Sequence, residues 1–405
     1  MRITDVETIV VGTPPPHHGG AFWIFVRATT DSGVTGLGEV YGVPFRPPAI
    51  TQMVTDVAER SLVGANPFDI ELLWRVVYSR GYTQRPDTSV VAILSGLEMA
   101  CWDIIGKETG QPVYNLIGGR VREALRCYTY IYPAANADDS VYVDPDLAAE
   151  RASQYVSEGF TALKFDPVVT YSALDPRQLS ARTIARAARY VSHIREAVGT
   201  SADLLIGTHG QMTPSSAIRL ARALEQFDPL WLEEPTPPEM PEQMALVARA
   251  TSIPVATGER LATKYEFARV LECRAAAILQ MALGRVGGLL EAKKIAASAE
   301  PYYVDIAPHL YAGPVEMAAN LHLAASTPNF LIQESIERMD GFAADVLRRP
   351  LVWDDGFVLP PSEPGLGVEL DDDVVARHPY TGDRFHLETT EEEEPDLAGF
   401  GRDQP

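Results

Sequence analysis

The sequence predicts an α/β protein, a (β/α)8 TIM-type barrel that carries an α+β capping domain. Strand-length apolar runs alternate with helix-length amphipathic segments over much of the chain, and the runs end in polar residues at a nearly constant spacing. Such alternation is typical of parallel βα units. The chain has 405 residues, of which 46% are hydrophobic, which suffices for a barrel of roughly 200 to 250 residues and a smaller companion domain.

Residues 1–125 have a mixed pattern, which predicts the capping domain. Strand patterns cover 3–11 and 22–29, a turn follows at Asp31-Ser32-Gly33, and a short strand ends at Val40. Helical patterns come next, the longest over 89–110, where apolar residues recur at helical spacing.

Residues 126–340 contain the repeat that predicts the barrel. Eight apolar runs occur there: TYIYP, ALKFDP, LLIGTH, LWLEEP, VATGE, AILQM, YVDIAPH and FLIQES. Six residues near the ends of the later runs are separated by 24, 26, 22, 28 and 25 positions: His209, Glu233, Glu259, Met281, His309 and Glu334. With helices predicted between runs, for example over 148–157, 215–226 and 289–299, these side chains are expected at the carboxyl-terminal rim, where barrel active sites form.

The C-terminal part of the chain no longer follows the repeat. Residues 341–385 are rich in proline and glycine and are predicted to return to the capping domain. Residues 386–405 include four consecutive glutamates, 391–394, and are predicted to form a solvated acidic tail.

Charge and cysteine content restrict the functional class. A net charge of −21 and a pI near 4.8 argue against nucleic acid as a partner, and an acidic substrate would need a metal ion or local cations. The N-terminus lacks a signal-peptide pattern, and no run approaches 18 uninterrupted apolar residues, so no membrane association is predicted. Cys101, Cys127 and Cys273 are odd in number and widely spaced, which favours reduced thiols and a cytoplasmic location.

Two carboxylates at predicted neighbouring strand ends, Glu233 and Glu259, indicate a metal site. Like charges held close together favour a shared hard cation, Mg²⁺ or Mn²⁺. The alternative is that each carboxylate pairs with a rim arginine such as Arg260 or Arg285. Because side chains alternate along a strand, either Glu233 or its neighbour Glu234 can be the inward one.

Three further rim residues suggest acid–base chemistry. Lys164 and Asp166 are two positions apart and therefore point the same way, toward the lumen. A desolvated lysine there can act as a base or as a clamp for a carboxylate, although an internal Lys–Asp ion pair is the structural alternative. His309 ends the seventh run, opposite the second, where it can serve the other face of a reacting carbon.

These motifs together resemble the enolase superfamily, and within it the mandelate racemase-like sugar-acid dehydratases. The resemblance covers nearly the whole chain and rests on GLGEV, LEMACWDIIGKETGQPVYNLIGG, ALKFDP, WLEEP, ATGER, GRVGG, IAPH, NFLIQES and EPGLGVELDDDV. It implies a capping domain built from both chain ends, and Mg²⁺ held at the barrel strand ends. It also implies Glu233 and Glu259 as metal ligands, His309 as acid/base, and Glu334 as a carboxylate near the substrate.

One departure from the family pattern concerns the third metal ligand. The family usually has an aspartate at the end of strand three, where this chain has Gly207, with His209 two residues further on. We favour His209 as a direct ligand, which would suit a softer ion than Mg²⁺, over His209 as the proton donor to a leaving hydroxide. Asp166 reaching across from the adjacent strand is the third possibility.

A second departure concerns the histidine of strand seven. The family's aspartate partner of that histidine would stand in Gln280-Met281-Ala282, where none is present. His309 is therefore expected to be a weaker base than usual, with Lys164 or Asp166 taking more of the role.

The predicted function is a metal-dependent dehydratase of a small sugar acid, an aldonate or aldarate. It would remove the proton α to the carboxylate, stabilise the enediolate and expel the β-hydroxyl, giving a 2-keto-3-deoxy acid. A racemase, epimerase or cycloisomerase acting through the same enediolate is one alternative, and a catalytically altered sugar-acid binding or regulatory protein is another. Tyr82 and Arg85 are candidate substrate contacts, as are the loops at 17–22 and 41–46, and the resemblance predicts a homo-oligomer.

Overall fold

The computed structural model describes residues 1–134, 137–169 and 171–387. The chain forms two compact units. The first unit comprises 1–126, 258–268 and 280–387, and the second comprises 269–279 and the described residues within 127–257. Residues 388–405 lie outside the described residues. The glutamates at 391–394 of the predicted tail are therefore not described.

The strands and helices follow one another as the repeat predicts. The strands are β1 Ile3–Gly12, β2 Phe22–Thr30, β3 Thr35–Val40, β4 Leu125–Tyr130, β5 Ala162–Phe165, β6 Asp203–Gly207, β7 Trp231–Glu233, β8 Val255–Thr257, β9 Ile278–Leu279, β10 Asp305–Ile306, β11 Gln333–Ser335, β12 Val352–Asp354 and β13 Phe357–Leu359. The α-helices are α1 Pro47–Ser61, α2 Ile70–Ser79, α3 Thr88–Thr109, α4 Val113–Leu116, α5 Pro145–Ser157, α6 Ala181–Val198, α7 Pro214–Leu224, α8 Pro241–Ala248, α9 Thr263–Cys273, α10 Leu283–Val286, α11 Leu289–Ala299, α12 Pro314–Ala325, α13 Phe342–Asp345 and α14 Asp372–Arg377. Each of the eight predicted runs contributes one strand, β4 to β11, or directly adjoins it.

The first unit contains an antiparallel sheet of order β1-β2-β3 that packs on helix α3. Two glycines of β3 allow this close packing. A Cβ on Gly36 would lie 2.1 Å from the carbonyl oxygen of Ala100, and one on Gly38 would lie 1.9 Å from that of Gly96. The GLGEV motif therefore brings strand and helix backbones together.

Helix α3 is the core helix of the first unit. Among the described residues it is the one helix long and apolar enough to cross a membrane, with a mean hydropathy of 1.5 over its most apolar window. That window is 89% buried inside the protein. Its N-terminus is capped by Asp87, whose side chain accepts hydrogen bonds from the backbone N–H groups of Ser89 and Val90.

A buried aspartate of α3 joins the C-terminal segment to the same unit. Asp103 accepts a hydrogen bond from the N–H of Leu37 at 2.9 Å and one from the N–H of Leu366 at 2.8 Å. Lys107 lies 2.8 Å from Asp103 and 2.6 Å from Glu369, so its charge is shared between helix and segment. The predicted domain bounds, with a barrel over 126–340 and a C-terminal segment over 341–385, remain predictions.

The second unit holds parallel strands in chain order from β4 to β9, each paired with the next. Lys164 of β5 is the partner of Leu205 of β6, which in turn is the partner of Trp231 of β7. Residues in register on neighbouring strands share a face. Lys164, Trp231 and, two residues on, Glu233 are therefore on one face.

Two buried glutamates of the first unit, Glu39 and Glu316, are expected to make the free energy of unfolding depend on pH. Glu39 accepts hydrogen bonds from the N–H groups of Gly313 and Glu316 at the start of α12. Burial, followed by the charge of Glu39, raises the pKa of the Glu316 carboxyl from 4.5 to about 8. The folded chain thus holds a proton that the unfolded chain releases near pH 4.5, so this stabilisation is complete below that pH and is lost as pH rises through about 8.

Glu316→Gln is therefore expected to gain stability relative to the original protein as pH rises from 5 to 8. The expected gain is at least about 1 kcal/mol, because one pKa unit corresponds to about 1.4 kcal/mol. Thermal melting at both pH values measures it, with Glu123→Gln as a control whose side chain is 89% exposed. If the Glu316 variant and the original protein keep the same difference in melting temperature at both pH values, Glu316 is not the titrating group.

Candidate active site

A buried ion pair occupies the strand ends of the second unit. Lys164 Nζ lies 2.6 Å from Glu233 Oε1, and both residues are almost completely buried. The other oxygen, Glu233 Oε2, accepts a hydrogen bond from Trp231 Nε1 at 3.1 Å. Lys164 thus pairs with Glu233 of β7, whereas the structural alternative considered from the sequence was a pair with Asp166. A cation and an anion that are desolvated together stabilise each other's charged form.

A second buried carboxylate, Asp166, is held by two neighbours. His209 Nδ1 lies 2.7 Å from Asp166 Oδ2, and the Tyr171 hydroxyl donates to the same oxygen. Burial raises the pKa of Asp166, but the charge and hydrogen bond of His209, the Tyr171 hydroxyl and the charge of Lys164 together leave it lowered. Asp166 is therefore an anion that orients the imidazole of His209.

The glycine at 207 explains how Asp166 fits between the strands. A Cβ on Gly207 would lie 2.1 Å from Asp166 Oδ1. The position where the family pattern has an aspartate is thus filled by the carboxylate of the neighbouring strand. No described residue donates a hydrogen bond to Asp166 Oδ1, although that atom is buried.

The turn after β6 is anchored to β7. The Thr208 hydroxyl donates to the carbonyl oxygens of Glu233 at 2.7 Å and Glu234 at 2.9 Å. Gly210 N–H donates to the carbonyl oxygen of Glu234 at 2.6 Å. His209 lies between these anchors in the left-handed region, with φ 44°, so its ring is presented from a fixed turn. The side chain of His209 is 29% exposed, unlike the buried Asp166.

In the first unit, His309 lies between two carboxylates. His309 Nε2 is 3.5 Å from Glu259 Oε2 and 3.7 Å from Glu334 Oε2. Leu310 N–H donates to Glu334 Oε2 at 2.9 Å, and Asn320 Nδ2 donates to the carbonyl oxygen of His309 at 3.1 Å. These hydrogen bonds hold the Glu334 carboxylate and the backbone of His309 in place.

These carboxylates bear on the expectation that His309 lacks an anionic partner. Ala282 pairs with His309 as a parallel bridge, so it does stand beside the histidine at the position where an aspartate was expected. The negative charge that an aspartate would have supplied is provided by Glu259 and Glu334 instead. The weaker basicity of His309 that was predicted from Ala282 stays a prediction.

An aromatic group in the first unit packs on His309. Tyr41, directly after β3, stacks on the imidazole with ring centroids 5.7 Å apart, and the guanidinium of Arg285 lies 4.8 Å from the Tyr41 ring. Arg285 also donates to the backbone oxygen of Glu259 at 3.1 Å. Arg285 thus contacts the backbone of Glu259, and the alternative of a carboxylate paired with a rim arginine stays open for Arg260.

His386, where the predicted tail begins, also belongs to this group. Its Nε2 lies 2.9 Å from the carbonyl oxygen of Tyr311, and its ring is 5.1 Å from that of Tyr41. Burial lowers the pKa of His386 to about 4.

The comparison with known proteins decides the family. Residues 147–374 match the family model described as "Enolase C-terminal domain-like", and residues 11–118 match the N-terminal domain model of mandelate racemase and muconate lactonizing enzyme. The chain belongs to the enolase superfamily. Its fold is accordingly the capping domain and α/β TIM-type barrel of that superfamily, which confirms the predicted fold class.

Named relatives and solved structures of the superfamily extend over almost the whole chain. The chain is 35% identical to a D-galactonate dehydratase of Xanthomonas oryzae pv. oryzae over 93% of this chain and 94% of the relative, and 34% identical to a D-xylonate dehydratase of Haloferax volcanii over 94% and 90%. It is 57% identical, with a TM-score of 0.94, to a mandelate racemase/muconate lactonizing enzyme family structure from Labrenzia alexandrii, covering 96% of this chain and 100% of that one. A second such structure, from Burkholderia SAR-1, is 56% identical with a TM-score of 0.96, covering 98% of each chain.

The superfamily implies a divalent cation, and the second unit offers hard oxygen donors for one. Asp166 and Glu233 are buried carboxylates, and the unpaired Oδ1 of Asp166 is an acceptor that a cation would satisfy. Within the described residues, no group of three or more His, Cys, Asp or Glu side chains is already arranged around a common metal position. In the second unit these carboxylates are instead paired with Lys164 and His209.

The two predicted substrate contacts, Tyr82 and Arg85, differ from these buried clusters because their side chains are exposed. Tyr82 and Arg85 are exposed side chains on the segment between α2 and α3, and the relative accessibility of Tyr82 is 101%. Their assignment to substrate binding remains a prediction. Sequence reasoning missed Tyr171, whose hydroxyl contacts Asp166, because no periodic pattern marks a loop tyrosine. It reached Tyr41 only as one end of a candidate loop.

Proposed function

We propose that the protein is a metal-dependent dehydratase of a sugar acid. The observation that carries the proposal is the two dyads at the strand ends of the second unit, the buried pair Lys164 with Glu233 and the buried Asp166 with the partly exposed His209. A buried cation and an imidazole backed by a carboxylate suit a reaction that creates negative charge and must then deliver a proton. The relatives named galactonate and xylonate dehydratase support the same class. The chain is thus a carbon–oxygen lyase, a hydro-lyase.

The proposed reaction divides proton transfer and charge stabilisation among named side chains. His309 removes the proton α to the substrate carboxylate, and Glu259 and Glu334 favour the imidazolium that results. Lys164 provides positive charge for the enediolate. His209, held by Asp166, donates a proton to the β-hydroxyl as its C–O bond breaks, so that water leaves and the enol becomes a 2-keto-3-deoxy acid.

Glu233 and Glu259 are proposed ligands of a Mg²⁺ or Mn²⁺ ion. Glu233 is the last residue of β7, and Glu259 follows the end of β8 by two residues, β7 and β8 being paired neighbours. When bound, the cation supplies positive charge beside the substrate carboxylate. We further propose a cytoplasmic location, since three widely spaced cysteines do not form a disulfide framework, and a homo-oligomer, which light scattering measures directly.

The test is incubation with a library of aldonates and aldarates in the presence of Mg²⁺. The expected result is release of a 2-keto-3-deoxy acid from at least one member, detected by keto-acid derivatisation and confirmed by mass loss of one water. Galactonate and xylonate are included because relatives are named for them.

Other outcomes distinguish the competing functions. Inversion at the α-carbon without loss of water would identify a racemase or epimerase. Substrate binding with neither product formation nor solvent deuterium exchange at the α-carbon would contradict the enzymatic proposal and favour a binding protein.

A further inference from the structure

Position 207 is a glycine where the family pattern has an aspartate, and the carboxylate of Asp166 occupies the space beside it. Asp166 Oδ1 lies 2.1 Å from where a Cβ of residue 207 would stand. Only glycine leaves room for this carboxylate, because any side chain at 207 would begin where Oδ1 already is. The loss of one aspartate and the placement of another are therefore coupled on adjacent strands β5 and β6.

The two oxygens of Asp166 are in different situations. Oδ2 is engaged by His209 Nδ1 and by the Tyr171 hydroxyl. Oδ1 is buried and receives no hydrogen bond from the described residues, in a side chain that is 3% exposed. A buried anionic oxygen without a donor is costly, and a divalent cation is a partner that removes this cost.

The register places this oxygen near a second buried carboxylate. Gly207 is the Cα partner of Glu233 in the parallel pairing of β6 and β7. Oδ1 of Asp166 thus lies over the β6 position that is directly in register with Glu233. Hard divalent cations are bound by carboxylate oxygens that are brought together in this way.

We propose that Asp166, directly after the end of β5, supplies the carboxylate ligand that is missing at position 207. In this assignment Oδ1 binds the cation together with Glu233, while Oδ2 holds His209, so that His209 transfers protons and is not itself a ligand. The inference rests on the proposed function for the presence of a cation, and it concerns which residue of this chain binds that cation.

Binding of Mn²⁺ alone tests the assignment without any substrate. Free Mn²⁺ is measured by electron paramagnetic resonance during titration of the full chain. Asp166→Asn is expected to weaken Mn²⁺ binding on the order of 100-fold, because even residues that only support a ligand contribute 10- to 100-fold. Asp146→Asn is the matched control, since Asp146 also accepts from a histidine at 2.7 Å but is 80% exposed, and it should bind Mn²⁺ like the original protein.

An exchange of positions distinguishes a ligand from a merely structural aspartate. Asp166→Ala should lose Mn²⁺ binding, and adding Gly207→Asp to it should restore binding to within about tenfold, because the space that Oδ1 fills is then free for an aspartate at 207. Gly207→Asp alone should not tighten binding, since the new side chain meets Asp166. Circular dichroism and thermal melting establish whether each variant is folded. If Asp166→Ala is not folded, Mn²⁺ binding by Asp166→Asn alone decides whether Asp166 is a ligand.

Mn²⁺ binding by His209→Ala tests the alternative that His209 is the ligand. This variant should retain Mn²⁺ affinity to within about tenfold if Asp166 is the ligand. The assignment is overturned if His209→Ala abolishes binding while Asp166→Asn keeps it, or if the original protein binds no Mn²⁺. Sugar-acid turnover is measured in parallel. Mn²⁺ binding that depends on Asp166 without turnover contradicts the proposed function alone, and turnover with Asp166-independent binding contradicts this inference alone.

Discussion

Replacement of Lys164 by methionine is expected to abolish most of the activity, lowering kcat/KM on the order of 10³-fold. Lys164 Nζ is the buried positive charge nearest to Glu233, at 2.6 Å, and removal of one preorganised group that stabilises a developing anion commonly has an effect of this size. Methionine keeps the apolar stem of the side chain and removes only the charge. Initial rates with the sugar acid found in the library measure the effect.

The same substitution is expected to destabilise the fold by about 3 to 5 kcal/mol, because it leaves Glu233 charged and buried without its partner. The double variant Lys164→Met/Glu233→Gln removes both charges and should recover most of this stability while remaining inactive. Urea unfolding separates the two effects. Lys294→Met, which breaks a more exposed pair with Glu71 at 2.5 Å, is the control and should change neither stability nor rate appreciably.

Two results would contradict this role for Lys164. Near-normal kcat/KM in the folded Lys164→Met variant would show that its charge is not used in the reaction. Recovery of both stability and activity in the double variant would show that the pair is structural. Addition of Mg²⁺ provides a further readout, since a cation at Glu233 should reduce the instability of the single variant but not its loss of rate.

The fold was predictable because it is encoded locally. The alternation of apolar runs and amphipathic segments fixes which residues form strands, and all eight runs in the repeat yield or adjoin one. The GLGEV and ATGER motifs could be located by their residues alone. How closely β3 approaches α3 could not, because the 1.9 Å limit at Gly38 depends on where a helix from another part of the chain comes to lie.

The sequence indicates candidate residues for the site but not which of them are paired. Alternation correctly put Lys164 and Asp166 on one side of β5. Their partners depend on the register between strands, which no spacing within one strand reveals, so Lys164 pairs with Glu233 and Asp166 with His209. Position 207 shows that a structure is needed for such contacts. The sequence reveals that glycine replaces the expected aspartate, whereas only the structure shows that the carboxylate of Asp166 occupies the space.

Replacement of His209 by asparagine is expected to separate the two chemical steps of the proposed reaction. Dehydration should fall by about 10² to 10⁴-fold, the contribution usual for a positioned general acid. Proton removal at the α-carbon does not use His209 in this scheme, so the enediolate should still form and take up solvent hydrogen. In D2O the variant should therefore return substrate labelled at the α-carbon, measured by NMR, while the keto acid accumulates slowly.

His193→Asn is the matched control for this experiment, because His193 Nδ1 also lies 2.7 Å from an aspartate, Asp146, but on the surface of the second unit. It should dehydrate substrate at the original rate. Loss of both exchange and dehydration in the folded His209 variant would assign His209 to proton removal or to substrate binding rather than to the leaving hydroxyl. An exchange rate that survives in His209→Asn but disappears in His309→Asn would place the two histidines on the two separate steps, as their different carboxylate partners require.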